Sequence, residues 1–462
     1  MIMVGSQYDT EEEIKAKRET RRLKKLKKRQ ELISQGLDPD FPAECQFIER
    51  PMLYIPHEQE VCGCPLSVMT YNCLAQTLIR RDMFPESGPA LKWYMRSKVL
   101  LHEIKYYNAD VCCLQEIDSV QYELFWAVEL PKYGYNTLFH HEESKSHGVM
   151  IIWKEVLFAC KAHLDIYFDQ IYCDLVKPRT RTNNVGLLVA LEFKDNFLKR
   201  RKSGTMEPSR KGIVIGTFHL FWHPFGTFDR TRQCYIIKRE IQQFTGTLGS
   251  ETSWYQIFTG DFNSQPDSVP YLTLTELPIV LTKKQRAVIE CSTAYKYSER
   301  RNYGKEFAME EDDTGGKKNG EDNNTTEYSE TPQPEKFDPT VEQRKLVDDL
   351  IDLHNEVDFQ ATSLYGLGYH SVHPANSDAT SKEPSLSSWS TKWAGLLDYI
   401  FFVNHKPKSK YNSIEDFETD NDVRITGYLR MPTKEEMPNH SQPFKNEYPS
   451  DHISMMCKLE LT

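Results

Sequence analysis

The sequence predicts an α+β protein: two packed mixed β-sheets flanked by helices, a four-layer α/β sandwich. Three observations carry that expectation. Short apolar runs rich in β-branched and aromatic residues recur along most of the 462 residues. Helical patterns lie between some of them without the strict alternation that a parallel βαβ sheet requires. Several of the runs end on a single acid, amide or imidazole, which is how a rigid scaffold presents polar groups in one pocket.

Taken in order, the chain begins with Glu11-Glu12-Glu13 and then a dense basic run from Lys15 to Arg29, in which Leu23, Leu26 and Ile33 are too sparse to form a buried face. A solvated helix or a disordered arm is expected there, and residues 1–60 are taken as a basic N-terminal extension. Such a run fits a nuclear or nucleolar address combined with a phosphate-binding arm; an ordinary solvated charged helix is the plainer alternative. The early acidic triplet argues against a mitochondrial presequence. From residue 61 to 462 a single catalytic domain is expected. Leu66 to Tyr71 reads as a strand that delivers Asn72, Trp93 to Tyr107 as a helix, and Val111 to Gln115 as a buried strand that delivers Glu116. Val149–Trp153, Val185–Leu191, Ile213–Phe218 and Gln256–Thr259 supply further strands, followed by Leu397–Val403 and His452–Leu459.

Two segments interrupt this pattern. Lys199 to Lys211 is a basic, lengthened hairpin loop, read either as an RNA contact or as an elaborated turn. Residues 304–336 contain no Ile, Leu or Val and are rich in acidic and polar residues, so a disordered acidic insertion is expected. Val341 to Leu353 then resumes an amphipathic helix with Leu346, Val347, Leu350 and Ile351 on one face.

Bulk properties set limits. Hydrophobic content of 39% with 12% aromatic residues supports a sizeable core. A net charge of −10 excludes whole-surface attraction to nucleic acid, so any such binding must be local. The 11 cysteines are scattered without zinc-like spacing, and reduced thiols in an intracellular protein are expected. No apolar run approaches the roughly 20 residues of a membrane span, and the N-terminus has no secretory apolar region.

The chemistry concentrates in a few places. Gly260-Asp261-Phe262-Asn263 ends one apolar run, and Ser450-Asp451-His452 opens another. Asn72, Glu116 and Asp398 stand at or inside three more. An Asp or Asn in a turn is by itself usually a backbone cap, and a lone His is usually an ordinary partly buried side chain. Asp398 inside an apolar strand is harder to dismiss, because a buried carboxylate needs a partner. Together the residues point to a metal-dependent phosphoesterase, and to a ribonuclease first.

The ordered set Asn72, Glu116, His219, Asp261/Asn263, Asp398 and Asp451/His452 resembles the endonuclease/exonuclease/phosphatase superfamily, with its DNase I-like fold. Within it the chain is similar to the carbon-catabolite-repressor type of RNA 3′ exonucleases and deadenylases. Trp93-Tyr94-Met95-Arg96, His219-Leu220-Phe221-Trp222-His223-Pro224, and Glu383-Pro384 ahead of Leu397-Asp398-Tyr399-Ile400-Phe401 carry the narrower likeness. It covers about residues 64–462.

The resemblance implies Mg²⁺ (or Mn²⁺) as cofactor, with Glu116 the anchoring ligand and Asp451 and the amide of Asn72 completing the site. It implies that Asp261 orients or deprotonates the attacking water or binds a second ion. Asn263 and His219 are expected to donate to phosphate oxygens. His452 is expected at the scissile phosphate, with Asp398 fixing its tautomer. Pro224 and Trp393 stand where members clamp the terminal base, and Trp222 belongs to the same motif; stacking on an indole suits any base.

Two departures are visible. His147-Gly148-Val149 stands where the family commonly has Asp-Gly-Cys, and the leucine-rich repeat of some deadenylases is absent. The expected activity is a magnesium-dependent 3′→5′ exoribonuclease that trims pre-ribosomal RNA, in the nucleus or nucleolus, or else in the cytoplasm. The alternatives are a poly(A)-specific deadenylase, a nucleotide phosphatase and an inactive RNA-binding scaffold.

Overall fold

The computed structural model describes residues 11–34, 46–57, 63–173, 176–201, 207–249, 253–297, 333–390, 393–404, 411 and 413–462. The expected acidic insertion lies outside them but for its last residues, which end in a single turn at Pro334–Lys336. The strands are β1 (Met52–Tyr54), β2 (Cys64–Asn72), β3 (Val111–Asp118), β4 (Tyr135–His141), β5 (His147–Lys154), β6 (Phe158–Tyr167) and β7 (Val185–Phe193). They continue with β8 (Gly212–His219), β9 (Trp254–Asp261), β10 (Ala361–Ser363), β11 (Ser388–Trp389), β12 (Ala394–Gly395), β13 (Asp398–Val403), β14 (Val423–Leu429) and β15 (Met455–Leu461). The longer helices are α1 (Glu11–Ser34), α2 (Trp93–Tyr107), α3 (Thr227–Thr247), α4 (Val269–Thr275), α5 (Lys283–Ala294), α6 (Val341–Glu356), α7 (Leu364–Val372) and α8 (Ile414–Asn421).

Seven strands form one sheet in the order β1-β14-β15-β2-β3-β5-β4, and six form a second in the order β10-β13-β9-β8-β7-β6. Alternation along each central strand decides what faces what. Val111 and Cys113 of β3, with Val149 and Ile151 of β5, belong to the large cluster that includes the second sheet. Cys112, Leu114, Met150 and Ile152 belong instead to a cluster with Leu100, Leu101 and Ile104 of α2. The first sheet is thus buried on both faces, which is why its strands read as unbroken apolar runs. Phe228, Ile236 and Ile237 of α3 and Val347 and Leu350 of α6 join the larger cluster. Helix α6 starts on a capping box, Thr340 with Gln343, which satisfies two otherwise unpaired N–H groups.

The described part of the N-terminal extension divides in two. The side chains of α1 that can be described are exposed. Residues 46–57, by contrast, belong to the folded domain: β1 pairs with β14 as the edge of the first sheet. The Arg50 guanidinium donates to Ser454 Oγ at 2.6 Å and to the Arg430 carbonyl at 3.1 Å, and it lies 3.4 Å from buried Glu103. A boundary at residue 60 is therefore too late. No sequence pattern marks a single buried arginine whose partners are 53 and 404 residues away.

The strand directions place the functional residues. Strands β2 and β3 are parallel, as are β8 and β9, so Asn72 and Glu116 finish at one edge and His219 lies beside Asp261. Strand β13 runs antiparallel to β9 and begins with Asp398 opposite Asp261. Strand β15 runs antiparallel to β2, so the Asp451-His452 pair preceding it reaches the same edge.

Candidate active site

At that edge the side chains form one connected row. The Asn72 amide nitrogen donates to Glu116 Oε1 and to Asp261 Oδ2, both at 2.9 Å, and its oxygen accepts the Leu74 N–H at 3.0 Å. Which end of an amide points where is assigned from such a network, and here both carboxylates require a donor. Asn72 thus links the two acids through its amide.

Glu116 owes its direction to local backbone. The pairing of β3 with β5 shifts between Gln115 and Ile117, and Glu116 has a φ of 54°. A bulge of this kind takes a side chain out of the alternation and aims it over the edge, and a non-glycine residue in the left-handed region persists only where its surroundings hold it. Its second oxygen accepts the Ala75 N–H at 2.9 Å. Burial raises the Glu116 carboxyl, but His219, the Asn72 bond and His452 together outweigh burial and hold it below the ordinary range.

Gly260 is obligatory for the Asp261 turn: its φ is 148°, and a Cβ there would lie 1.9 Å from the Phe218 carbonyl oxygen. Asp261 Oδ1 accepts the Asn263 N–H at 2.9 Å, the local cap that such turns provide. One N–H of the Asn263 amide is held by the Leu220 carbonyl at 3.0 Å, so of its two hydrogens one remains for a phosphate. Burial, reinforced by Asp398 and opposed by His452 and His219, lifts the Asp261 carboxyl above its usual range.

His452 Nδ1 and Asp398 Oδ2 are 2.7 Å apart, and His452 Nε2 lies 3.6 Å from Asp261 Oδ2. Burial works against charge on His452, but the carboxylates of Asp398 and Asp261 outweigh it and lift the imidazole well above its ordinary range. Ser387 Oγ donates to Asp398 Oδ2 at 2.7 Å and accepts the Asp398 N–H at 3.0 Å. His219 Nε2 faces Asp261 Oδ2 at 3.7 Å and Glu116 Oε1 at 3.9 Å. Burial, opposed by those two acids, lowers its pKa.

Asp451 is half-buried and stands beside this row. Burial, opposed by His452 and reinforced by Glu116, pushes its carboxyl up to about 6. It belongs to neither group of three ligating atoms within 4.8 Å of one another; those are Glu116, His219 and Asp261, and Asp261, Asp398 and His452. The first group offers two carboxylates, the donors that suit a hard divalent cation, with an imidazole beside them.

The expected base clamp is spread over two surface pieces. Trp222 is half-buried with its ring centroid 5.3 Å from that of His223, and Pro224 is exposed. Trp393 is 43% exposed and lies against Gly395, where a Cβ would come within 2.8 Å of the indole. The β11–β12 hairpin that carries it is bonded to the row, since Ser388 bridges His452 and the Trp389 N–H donates to the Asp451 carbonyl.

Two contributors were not singled out as site residues by the sequence. Ser387 has no sequence signal beyond the nearby Glu-Pro pair. Arg96, quoted only within a motif, is fully buried; its guanidinium donates to the Leu74 carbonyl at 2.7 Å, to the Cys73 carbonyl, and to the Pro449 carbonyl at 2.7 Å. It therefore ties the loop that supports Glu116 to the segment that leads into Asp451-His452. Glu383 of the Glu-Pro pair is buried against Tyr271 Oη at 2.9 Å, away from this row.

Residues 69–452 match the model of the Endonuclease/Exonuclease/phosphatase family. The chain is 45% identical over 466 residues to RNA exonuclease NGL2 of Saccharomyces cerevisiae, covering 98% of this chain and 89% of that one. It is 33% identical over 433 residues to the probable RNA exonuclease C9B6.11c of Schizosaccharomyces pombe, covering 92% and 82%. Among solved structures, ANGEL2, a 2′,3′-cyclic phosphatase, in complex with adenosine-2′,3′-vanadate superposes with a TM-score of 0.56 at 19% identity, over 90% of this chain and 99% of that chain. That last likeness concerns the fold alone. By its matched residues and its site, the chain belongs to the endonuclease/exonuclease/phosphatase family.

Proposed function

We propose that the protein is a metal-dependent RNA exonuclease that removes 5′-nucleotides from RNA 3′ ends with Mg²⁺ as its natural ion. The observation that carries the reading is the row itself. Glu116 and Asp261 are joined through Asn72, and the His452–Asp398 pair faces Asp261 at 3.6 Å. The two relatives above are named RNA exonucleases, which favours RNA over other phosphoesters.

In this reading the scissile phosphate lies among Glu116, His219, Asp261 and His452. Glu116 and Asp261, with His219 beside them, would hold the divalent cation. A bound cation supplies charge neutralisation at the nonbridging oxygens and at the departing 3′ oxygen. Asp261 would orient or deprotonate the attacking water. His452, kept protonated by Asp398, donates to a nonbridging oxygen as charge develops there. His219, beside the cation and not ligating it, donates from Nε2 to a second one. Trimming of pre-ribosomal RNA in the nucleus or nucleolus is the leading cellular role, supported by the basic, exposed α1.

The test is incubation of the purified protein with RNA labelled at either end, with Mg²⁺ and with chelator. Progressive shortening of 5′-labelled RNA, with release of 5′-mononucleotides that stops on chelation, is the expected result. Shortening from the 5′ end, or phosphate release without shortening, would overturn it.

A further inference from the structure

The strand orders of the two sheets arrange the site as a line. Pairs of strands face each other across the core as β15 and β13, β2 and β9, β3 and β8, then β5 and β7. Along that line stand His452 and Asp398, then Asn72 and Asp261, then Glu116 and His219. The β11–β12 hairpin with Trp393 is attached at the His452 end. The line does not stop at His219. Strand β5 begins with His147 opposite Asp118 at the end of β3, and Gly186 of β7 pairs with Phe218 of β8. The connections before β5 and before β7 therefore lie at the same edge.

Those connections carry cations. Lys145 is 8% exposed, and its ammonium donates to the Thr182 carbonyl at 3.5 Å, at the limit of a hydrogen bond. Lys145 stands two residues before His147, whose ring centroid is 6.4 Å from that of His219. From Thr182 the chain runs back through Arg181, Arg179 and Lys177. These three are exposed while Val176, Thr180 and Thr182 between and beside them are buried, so all three cations stand on the outer face. Asp169, Gln170, Pro178, Arg179, Thr180 and Arg181 line an open depression.

Three acids lie beside the strip and offset part of its charge. Asp169 is committed to the Thr182 and Asn183 N–H groups at 2.7 and 2.6 Å. Asp229 accepts the Arg179 N–H at 2.7 Å; burial pushes its carboxyl up to about 6 against the opposing charges of Arg179 and Arg232, so it still faces Arg179 as an anion at pH 7. Glu142 pairs with Arg181 at 3.9 Å, and Arg181 Nε donates to Asn183 Oδ1 at 2.9 Å, so Arg181 is partly engaged while its side chain stays exposed.

We infer that Lys177, Arg179 and Arg181, joined to the site through Lys145, form the track that holds the RNA backbone upstream of the scissile phosphate. The inference rests on the proposed RNA exonuclease activity and assigns the direction in which the substrate leaves the site. The terminal nucleotide lies toward Trp393, and the remaining strand crosses the row at His219 and follows the cations. Phosphate contacts of this kind carry affinity without sequence preference, and they disappear as salt rises. They also place binding on a protein of net charge −10 without requiring a basic surface elsewhere.

The experiment measures kcat/KM on RNAs of two to sixteen nucleotides over a range of NaCl, with Mg²⁺. Three enzymes are compared: wild type, the variant K177Q/R179Q/R181Q, and a control of equal charge change at the opposite edge, K194Q/K199Q/R201Q. Thermal unfolding verifies that each is folded. The ratio of wild type to track variant is expected to grow with length to about tenfold or more, with a salt dependence shallower by about 2 in log–log slope. The control should follow wild type. If the track variant keeps the full length advantage, or the control loses it equally, the track is wrong while the activity stands. If the wild type shortens no RNA, both readings fall.

Discussion

The two edges of the same pair of sheets solve one electrostatic problem in opposite ways. At the edge away from the row, Asp110 is fully buried just before β3 and is surrounded by donors. Lys154 Nζ lies 3.1 Å from its carboxylate and Arg200 3.0 Å, and the Ser67 N–H and Oγ add bonds at 2.9 and 3.0 Å. At the other edge Glu116, Asp261 and Asp398 have amides, a serine and imidazoles for partners, and Asp398 Oδ1 is buried without a hydrogen bond. A scaffold that merely needed stability would neutralise its buried acids as it does at Asp110. Leaving three of them short of cationic charge has a use only where a cation and a phosphate are to be received.

The sharpest way to break this comparison is to remove one member from each side of the row. Glu116→Gln keeps the shape and the Asn72 contact but removes the negative charge, and His452→Ala removes the imidazole that Asp398 holds. Each is expected to lower kcat on RNA by about 10²–10⁴-fold with KM changed far less. Single-turnover rates with circular dichroism as a folding control would check this. Rates within tenfold of wild type in either variant would place the chemistry elsewhere.

The residues of that row were legible in the sequence because each ends or opens an apolar run, and strand alternation does the rest. The layers were legible for the same reason: Val111 to Leu114 is apolar throughout because both faces are covered. What the sequence could not convey depends on pairing between distant segments. That Asn72 joins Glu116 to Asp261 is a relation among three strands that none of them carries alone. The bulge at Glu116 is a relation between β3 and β5, not a property of either. The basic stretch from Lys199 to Lys211 draws attention by composition, yet Arg200 is used on Asp110, Arg201 on Glu207 at 2.7 Å, and Arg210 on the Trp254 and Asn421 carbonyls. Lys177, Arg179 and Arg181 are plainer in sequence, and only the pairing of β7 with β8 places the segment that leads from them into β7 at the same edge as the row.

Glu383 offers a third solution to the buried acid and sharpens the contrast. It is fully buried, its Oε1 accepts from Tyr271 at 2.9 Å, and burial pushes its carboxyl up to about 7. The sign follows from linkage. A carboxyl whose folded pKa is raised stabilises the protein in its protonated form, fully below the unfolded value near 4.5, and that contribution is lost as pH rises through about 7. Glu383→Gln keeps the shape without the ionisation. Relative to wild type it should gain stability between pH 5 and pH 8 by up to about 3 kcal/mol. Urea unfolding at several pH values measures this, and a difference that does not change with pH would mean that Glu383 is already charged at pH 5.

The smallest expected effect on activity is at the opposite edge, and it is the one that tests whether the two edges are separable. Asp110→Asn leaves Lys154 and Arg200, which are 20% and 32% exposed, without their shared anion. Because both cations reach water, the loss is limited to about 1–3 kcal/mol of stability. The catalytic ends of β2 and β3 are fixed by five registered residue pairs between those strands and by the buried contact of Gln115 Nε2 with Thr70 and Thr217 Oγ1 at 3.2 and 2.9 Å. Those contacts lie between Asp110 and Glu116, and none of them involves Asp110. The variant should therefore melt at a lower temperature while kcat and KM on RNA, measured well below its midpoint, stay within about twofold of wild type. A large fall in kcat in a folded Asp110→Asn protein would show that the ion-paired edge sets the geometry of the row.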